Sequence, residues 1–199
     1  FQGQASIVLP MSQSPAAKDT RIDIRAETKG VVIDNIFKGE RLEAGAFTFI
    51  SRSGQVTGKG EGRILGTSNQ IEFRSDAVKG VVATVRTTLD EALLVRRGID
   101  LRPAVTGPIN AMITLPFGKP GAAADIELDL ARTKIESGVP GIAKRSGQPG
   151  RAKFALTTRN EASVLEGFEL DLGAAQMRGR IELARDGQFS KAEFSQFKV

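Results

Sequence analysis

The sequence predicts a mainly β protein built from repeated antiparallel meanders, with one short helix over residues 88–97. Three observations carry this. Short stretches alternate apolar and polar residues almost from end to end, which is the pattern of strands with one buried face. Turn-forming residues such as Ser53-Gly54 and Asp186-Gly187 separate them. One segment alone breaks the alternation and carries helix-capping chemistry.

Taken in order, RIDIRAE puts Ile22, Ile24 and Ala26 on one face of a strand. GAFTFISRSGQVTGKGEG places Phe47 and Phe49 together, turns at Ser53-Gly54 and returns through Val56. NQIEFRS alternates through Ile71 and Phe73, and GVVATVRT through Val81, Ala83 and Val85. In TTLDEALLVRRG, Thr88 is the expected N-cap, Glu91 its capping-box partner and Gly98 the stop. The apolar stripe of that helix is expected at Leu89, Ala92 and Leu93, extending to Arg96. It reads as a cap on a sheet.

Beyond the helix, PINAMITLP sets Ile109, Ala111, Ile113 and Leu115 on one side, with only Met112 apolar on the other. RAKFALT follows with Phe154 and Leu156. Two strands then draw attention: IELDL, from Ile126 to Leu130, and FELDL, from Phe168 to Leu172, are nearly the same phrase 42 positions apart. Ile126, Leu128 and Leu130 share one face, as do Phe168, Leu170 and Leu172, while Glu127 with Asp129 and Glu169 with Asp171 share the other. QMRGRIEL and SKAEFSQF close the chain.

The phrase belongs to a repeat. IELDL begins 19 residues after Gly107 and FELDL 18 residues after Gly150, giving units 107–130 and 150–172. A longer echo, offset by 121, aligns 47–61 with 168–182. Such units cannot each bury an apolar face alone and must stack on neighbours. Residues 1–199 therefore read as one β-rich domain, or as a slice of a longer repetitive β protein. The start at Phe1, without Met or any long apolar run, reads as a processed fragment, and any membrane anchor is expected outside it.

Composition removes most chemistries. With no Cys, His, Trp or Tyr, Ser/His/Asp and Cys/His nucleophilic catalysis, thiolate or imidazole zinc sites and disulfides are impossible, leaving carboxylates, Lys, Arg, Ser and Thr for chemistry. Paired carboxylates on one strand face invite glycosidase or calcium readings. Sugar clefts, however, usually offer Trp or Tyr platforms, and no Asp-rich calcium loop is present. The sequence therefore predicts no enzyme, no cofactor and no metal, with the acids on the wet back of a sheet.

A net charge of +5 favours acidic partners. The basic residues are scattered, and the one cluster is AKRSGQPGRAKF, where Lys144, Arg145, Arg151 and Lys153 flank a Gly/Pro turn. A solvated loop is the first reading of that cluster and an anion contact the second. Nucleic-acid binding is not expected, because the Phe residues fall on apolar faces instead of alternating with Arg or Lys.

LPFGKP, IELDL, GIAKRSGQPGRAKF and GQFSKAEFSQF, spanning the C-terminal half, together resemble the AsmA-like envelope proteins of the YhdP/TamB type. That resemblance implies a long sheet curled into an open, taco-like groove, anchored in the inner membrane and spanning the periplasm. It also implies that phospholipid acyl chains slide along the groove. The groove lining, or equally the core of a closed sandwich or solenoid scaffold, would be Phe47, Phe49, Ile109, Ile113, Leu115, Ile126, Leu128, Leu130, Phe154, Leu156, Phe168, Leu170 and Leu172. The alternation is the same in both cases, so the sequence leaves groove and scaffold open.

Overall fold

A computed structural model of the 199-residue chain describes residues 2–8, 21–34, 40–52, 54–64, 66–76, 78, 80–96, 99–116, 119, 121–159, 162–185 and 188–199. The expected turn residues Ser53, Asp186 and Gly187, the helix stop at Gly98, and Phe117, Gly118 and Pro120 of the LPFGKP turn lie outside these. The described chain is mainly strand in antiparallel sheets, with one short helix. It divides into two compact units: Phe1–Val85 with Pro116–Gly118, and Arg86–Leu115 with Lys119–Val199.

The first unit is a meander. Its strands β1 (Gln2–Val8), β2 (Arg21–Ile33), β3 (Leu42–Arg52), β4 (Gln55–Ile64), β5 (Thr67–Asp76) and β6 (Gly80–Leu89, which runs on into the second unit) lie side by side in chain order. Its core is aromatic. Phe47 and Phe73 are buried, and their rings meet edge to face at 5.6 Å, with Phe49 5.9 Å from each. The reason lies in TGKGEG. Register places Gly58 between Phe49 and Phe73, and Gly60 between Phe47 and Ile71, so the inward face of β4 is bare backbone. A Cβ on Gly58 would come within 2.5 Å of the Phe49 ring, and one on Gly60 within 2.0 Å of the Ala46 carbonyl. The glycines make room for rings contributed by both neighbours.

Two sequence expectations fail here. In β6 the buried pair is Val82 and Ala83, adjacent residues, while Val81 is 37% exposed, so the expected Val81/Ala83/Val85 face is not what packs. GVVATV is apolar on both sides of the pleat, and its alternation does not specify a face. Ile24, expected to point inward with Ala26, is 44% exposed.

The second unit orders β8 (Ile109–Pro116), β9 (Ala124–Asp129), β12 (Arg151–Arg159), β13 (Ala162–Asp171), β14 (Gln176–Leu183) and β15 (Phe189–Lys198) as a second meander. A separate small sheet, β11 (Ala143–Lys144), β10 (Lys134–Glu136) and β7 (Val105–Thr106), joins the core. Ile135, Ile142 and Val105 from this small sheet and its turn pack with Ile109, Leu130, Ala152, Leu172 and Ala175.

Helix α1 spans Glu91–Arg96 and not 88–97. Its N-cap is Asp90, whose Oδ1 accepts the Leu93 N–H at 2.7 Å. Thr88 is still strand, because the β-branched run Thr87-Thr88 continues β6, and its hydroxyl meets Asn110 Oδ1 at 3.1 Å. Glu91, freed from a capping box, accepts the Gly107 N–H at 2.8 Å. Of the expected stripe, Leu93 is buried; Ala92 and Arg96 are exposed, and Leu94 packs on the core instead.

Candidate functional site

The repeated phrase acquires a cause from register. β9 and β13 flank β12 on opposite sides, so Arg151 stands opposite both Asp129 and Asp171, and Lys153 opposite both Glu127 and Glu169. Acid at i and i+2 is written twice because one basic strand, R-x-K, needs an acidic neighbour on each side. Lys153 Nζ lies 3.1 Å from Glu169, Arg151 lies 3.3 Å from Asp171, and Arg178 of β14 reaches Glu169 at 3.9 Å.

The two hairpins β8–β9 and β12–β13 also end alike. Asp129 Oδ1 accepts the Ala131 N–H and Asp171 Oδ1 the Gly173 N–H, each at 2.9 Å. The other carboxylate oxygen of each acid receives a donor from the paired strand, Asn110 or Arg151, each at 3.3 Å. These are Asx turns that finish a strand. The Gly173 N–H, with Arg151 behind it, holds the Asp171 carboxyl below the usual carboxylate range. Among the described residues no three acidic side chains gather at a metal position.

The longer echo maps hairpin onto hairpin with a changed register. Phe47 pairs Gly60, thirteen positions on, while Phe168 pairs Gly179, eleven on. The β3–β4 and β13–β14 turns differ in length, so equal spacing in sequence does not become equal pairing.

The opposite face of the second meander is apolar, and one end of it is covered by the small sheet. One row runs Ala111, Leu128, Ala152, Leu170 and Met177 across β8, β9, β12, β13 and β14. With Ile109, Leu130 and Leu172 beyond it, this is the part packed against the small sheet. The next row, Ile113, Ile126 and Phe154, has Phe168 with its ring 6.3 Å from that of Phe154. Ile126 is buried at 9% exposure, whereas Ile113, Leu115, Phe154, Leu156 and Phe168 are only half-buried. On β15, Phe194 faces Gly179 and is 46% exposed, and Phe197 faces Met177 and is 51% exposed.

The basic cluster of the sequence divides. Arg151 and Lys153 belong to the charge ladder on the polar face. Lys144 is not a solvated loop residue: it is 3% exposed, and its ammonium donates to the carbonyls of Thr133 (2.8 Å), Gln148 (2.9 Å), Arg145 (3.0 Å) and Ala131 (3.4 Å). Its stem crosses Gly150, where a Cβ would meet Lys144 Cε at 2.7 Å. Burial pushes the ammonium's pKa down, and the charge of Asp129 opposes that shift. Arg145 is exposed, next to the turn that carries Arg132. The residues missed by sequence reasoning are therefore Arg132 and Thr133; Gly150, read from the sequence as the start of a repeat unit, makes room for the Lys144 stem.

In the first unit a shallow cleft of about 500 Å³ is lined by Phe47 and Ile71 together with Lys59, Glu61 and Glu72. Fold and faces define a mainly β protein of antiparallel meanders, the second of which has one charge-laddered and one apolar face. No family model matches this chain, and no characterised protein or solved structure matches it either.

Proposed function

We propose that the second unit is a segment of an AsmA-like cell-envelope protein whose apolar face forms an open groove for phospholipid acyl chains. In that reading it serves phospholipid handling or transport between membranes, in the periplasm, attached to the inner membrane by a segment outside this one. The observation that supports it is the uneven cover of one face. The Leu130/Leu172 end is sealed by Ile135 and Ile142, while Ile113, Leu115, Phe154, Leu156 and Phe168 continue the same surface half-buried, around the buried Ala124 and Ile126 of β9.

Each acyl methylene laid on such a surface gains about 0.8 kcal/mol over water, and no side chain need react. The ladder of Arg151, Lys153 and their four opposing carboxylates suits this role: it fixes strand register without facing the chain. Catalysis by Glu169 or Asp171 has no place in the reading, since each is engaged by a cation of the neighbouring strand.

A second reading, a closed scaffold module, is favoured by the first unit, where Phe47, Ile71 and Phe73 fill their own interior. Native mass spectrometry with lipid extraction of the purified chain separates the two. Co-purifying phospholipid supports the groove; a lipid-free protein from lipid-rich cells supports the scaffold.

A further inference from the structure

We propose that the turns 131–133 and 145–148 form a binding site for a phosphate-type oxyanion, held between the guanidinium groups of Arg132 and Arg145. Three observations converge. First, the turns are laced together: Gly147 N–H donates to the Ala131 carbonyl at 2.8 Å and the Ser146 hydroxyl to the Arg132 carbonyl at 3.0 Å, and the Arg145 N–H is held by Gln148 Oε1 at 3.0 Å. The two arginines therefore project from a rigid base, which lowers the ordering cost of gripping a ligand.

Second, the Lys144 ammonium sits between these turns, bonded only to carbonyls. No carboxylate lies within ion-pair distance of it among the described residues; Asp129 acts on it from farther away, itself bonded to Asn110 and Ala131. Its carbonyl partners carry no formal charge, so the ammonium adds positive potential to these turns from beneath.

Third, alternation sends Thr133 and Ile135 inward and leaves Arg132 and Lys134 exposed, with Arg145 exposed on the adjoining strand end. Glu136 is the one carboxylate on that side of β10, and it is taken up by Lys134 at 2.8 Å. Arg132 and Arg145 have no acidic partner among the described residues, in contrast to Arg151 and Lys153. Two exposed guanidinium forks on adjoining turns, without acidic partners, match the tetrahedral, multiply charged oxygens of a phosphate monoester or diester. The inference is independent of the acyl-chain reading, since it concerns the outer surface of the small sheet.

The test uses the whole chain and two probes: inorganic phosphate, followed by amide chemical shifts of residues 131–148, and sedimentation with vesicles of phosphatidylglycerol and phosphatidylcholine against phosphatidylcholine alone. The double variant R132Q/R145Q is compared with K59Q/R63Q, which removes equal charge from exposed positions of the first unit; thermal melts establish that both fold. The expected result is phosphate binding that R132Q/R145Q weakens about tenfold and K59Q/R63Q leaves within about twofold. Binding of phosphate without vesicle sedimentation assigns the site to a soluble ester; added sedimentation with the anionic vesicles, lost in R132Q/R145Q, assigns it to a lipid headgroup. Equal weakening by both double variants, or no binding of either probe, overturns the proposal.

Discussion

Replacing Lys144 with Met removes an internal cation while keeping its stem over Gly150, so the loss isolates the ammonium. Nζ has three protons and four carbonyls in reach, the shortest being Thr133 at 2.8 Å. Arg145 and Gln148 lie in exposed turns, and water can replace the donor at their carbonyls. Thr133 is wholly buried, so its carbonyl loses that partner without such replacement. An abandoned buried acceptor costs about 1–3 kcal/mol, and loosening the two turns adds about 1 kcal/mol, so the variant should lose about 3 kcal/mol. With a denaturant slope near 2 kcal/mol/M, the urea midpoint of the second unit should fall by about 1.5 M, followed by amide NMR of residues 131–150. Lys144→Arg should not restore it, because a planar fork cannot replace a point donor among four carbonyls. Lys134→Met, which breaks an exposed ion pair, should cost under about 1 kcal/mol. A loss below about 1 kcal/mol in Lys144→Met, or equal losses at 134 and 144, would refute the reasoning.

In the first unit, Gly60→Ala should destabilise by about 2 kcal/mol or more, since its Cβ meets backbone, and more than Gly58→Ala, whose Cβ meets a movable ring; chemical denaturation of the two variants ranks them. Asp129→Ala should cost about 1 kcal/mol and Asp171→Ala somewhat more, because both break an Asx turn and a cross-strand contact and Asp171 also meets Gln176; a larger loss at Asp129 would deny that reading of the hairpins. Asp100 is held at about 2 by its hydrogen bonds from Arg102, below the ordinary 3.8. Its folded-state pKa is depressed, so its contribution to stability is complete above the ordinary value and disappears as pH falls from there through about 2. Carboxyl-carbon NMR should show Asp100 titrating below 3.8, and Arg102→Gln should return it toward that value.

Part of the fold is legible in the sequence because period-two alternation marks most strands that have one polar face, RIDIRAE with its exposed Ile24 being an exception. Phe47, Ile71 and Phe73 are buried, and in IELDL Ile126 and Leu130 are buried while Glu127 and Asp129 are exposed, as the alternation predicts. Alternation fails at GVVATV, where both faces are apolar and Val82 with Ala83 pack together. The helix start is misread because Thr88 and Asp90 both offer capping oxygens, and strand propensity claims the threonine. The small sheet escapes notice because strands of two or three residues carry no period, although Ile135 and Ile142 cover the core.

The charge ladder was within reach of the sequence. Arg151 and Lys153 have the same i, i+2 spacing as the acid pairs, and one basic strand between two acidic ones explains the repetition without any chemistry at the acids. Lys144 was not within reach, since nothing local distinguishes a lysine that bonds four carbonyls from its exposed neighbour Arg145. Its burial depends on Gly150 and on turns brought together by β10 and β11.

The most direct test of an acyl-chain groove sets neighbouring residues of one strand against each other. A photo-crosslinking side chain is placed singly at Phe154 and Leu156, on the half-buried apolar face, and at Lys153, on the ladder face, and the proteins are irradiated in cells. The account predicts phospholipid adducts at 154 and 156 and none at 153. Absence of lipid at all three positions, or equal capture at 153 and 154, would contradict it.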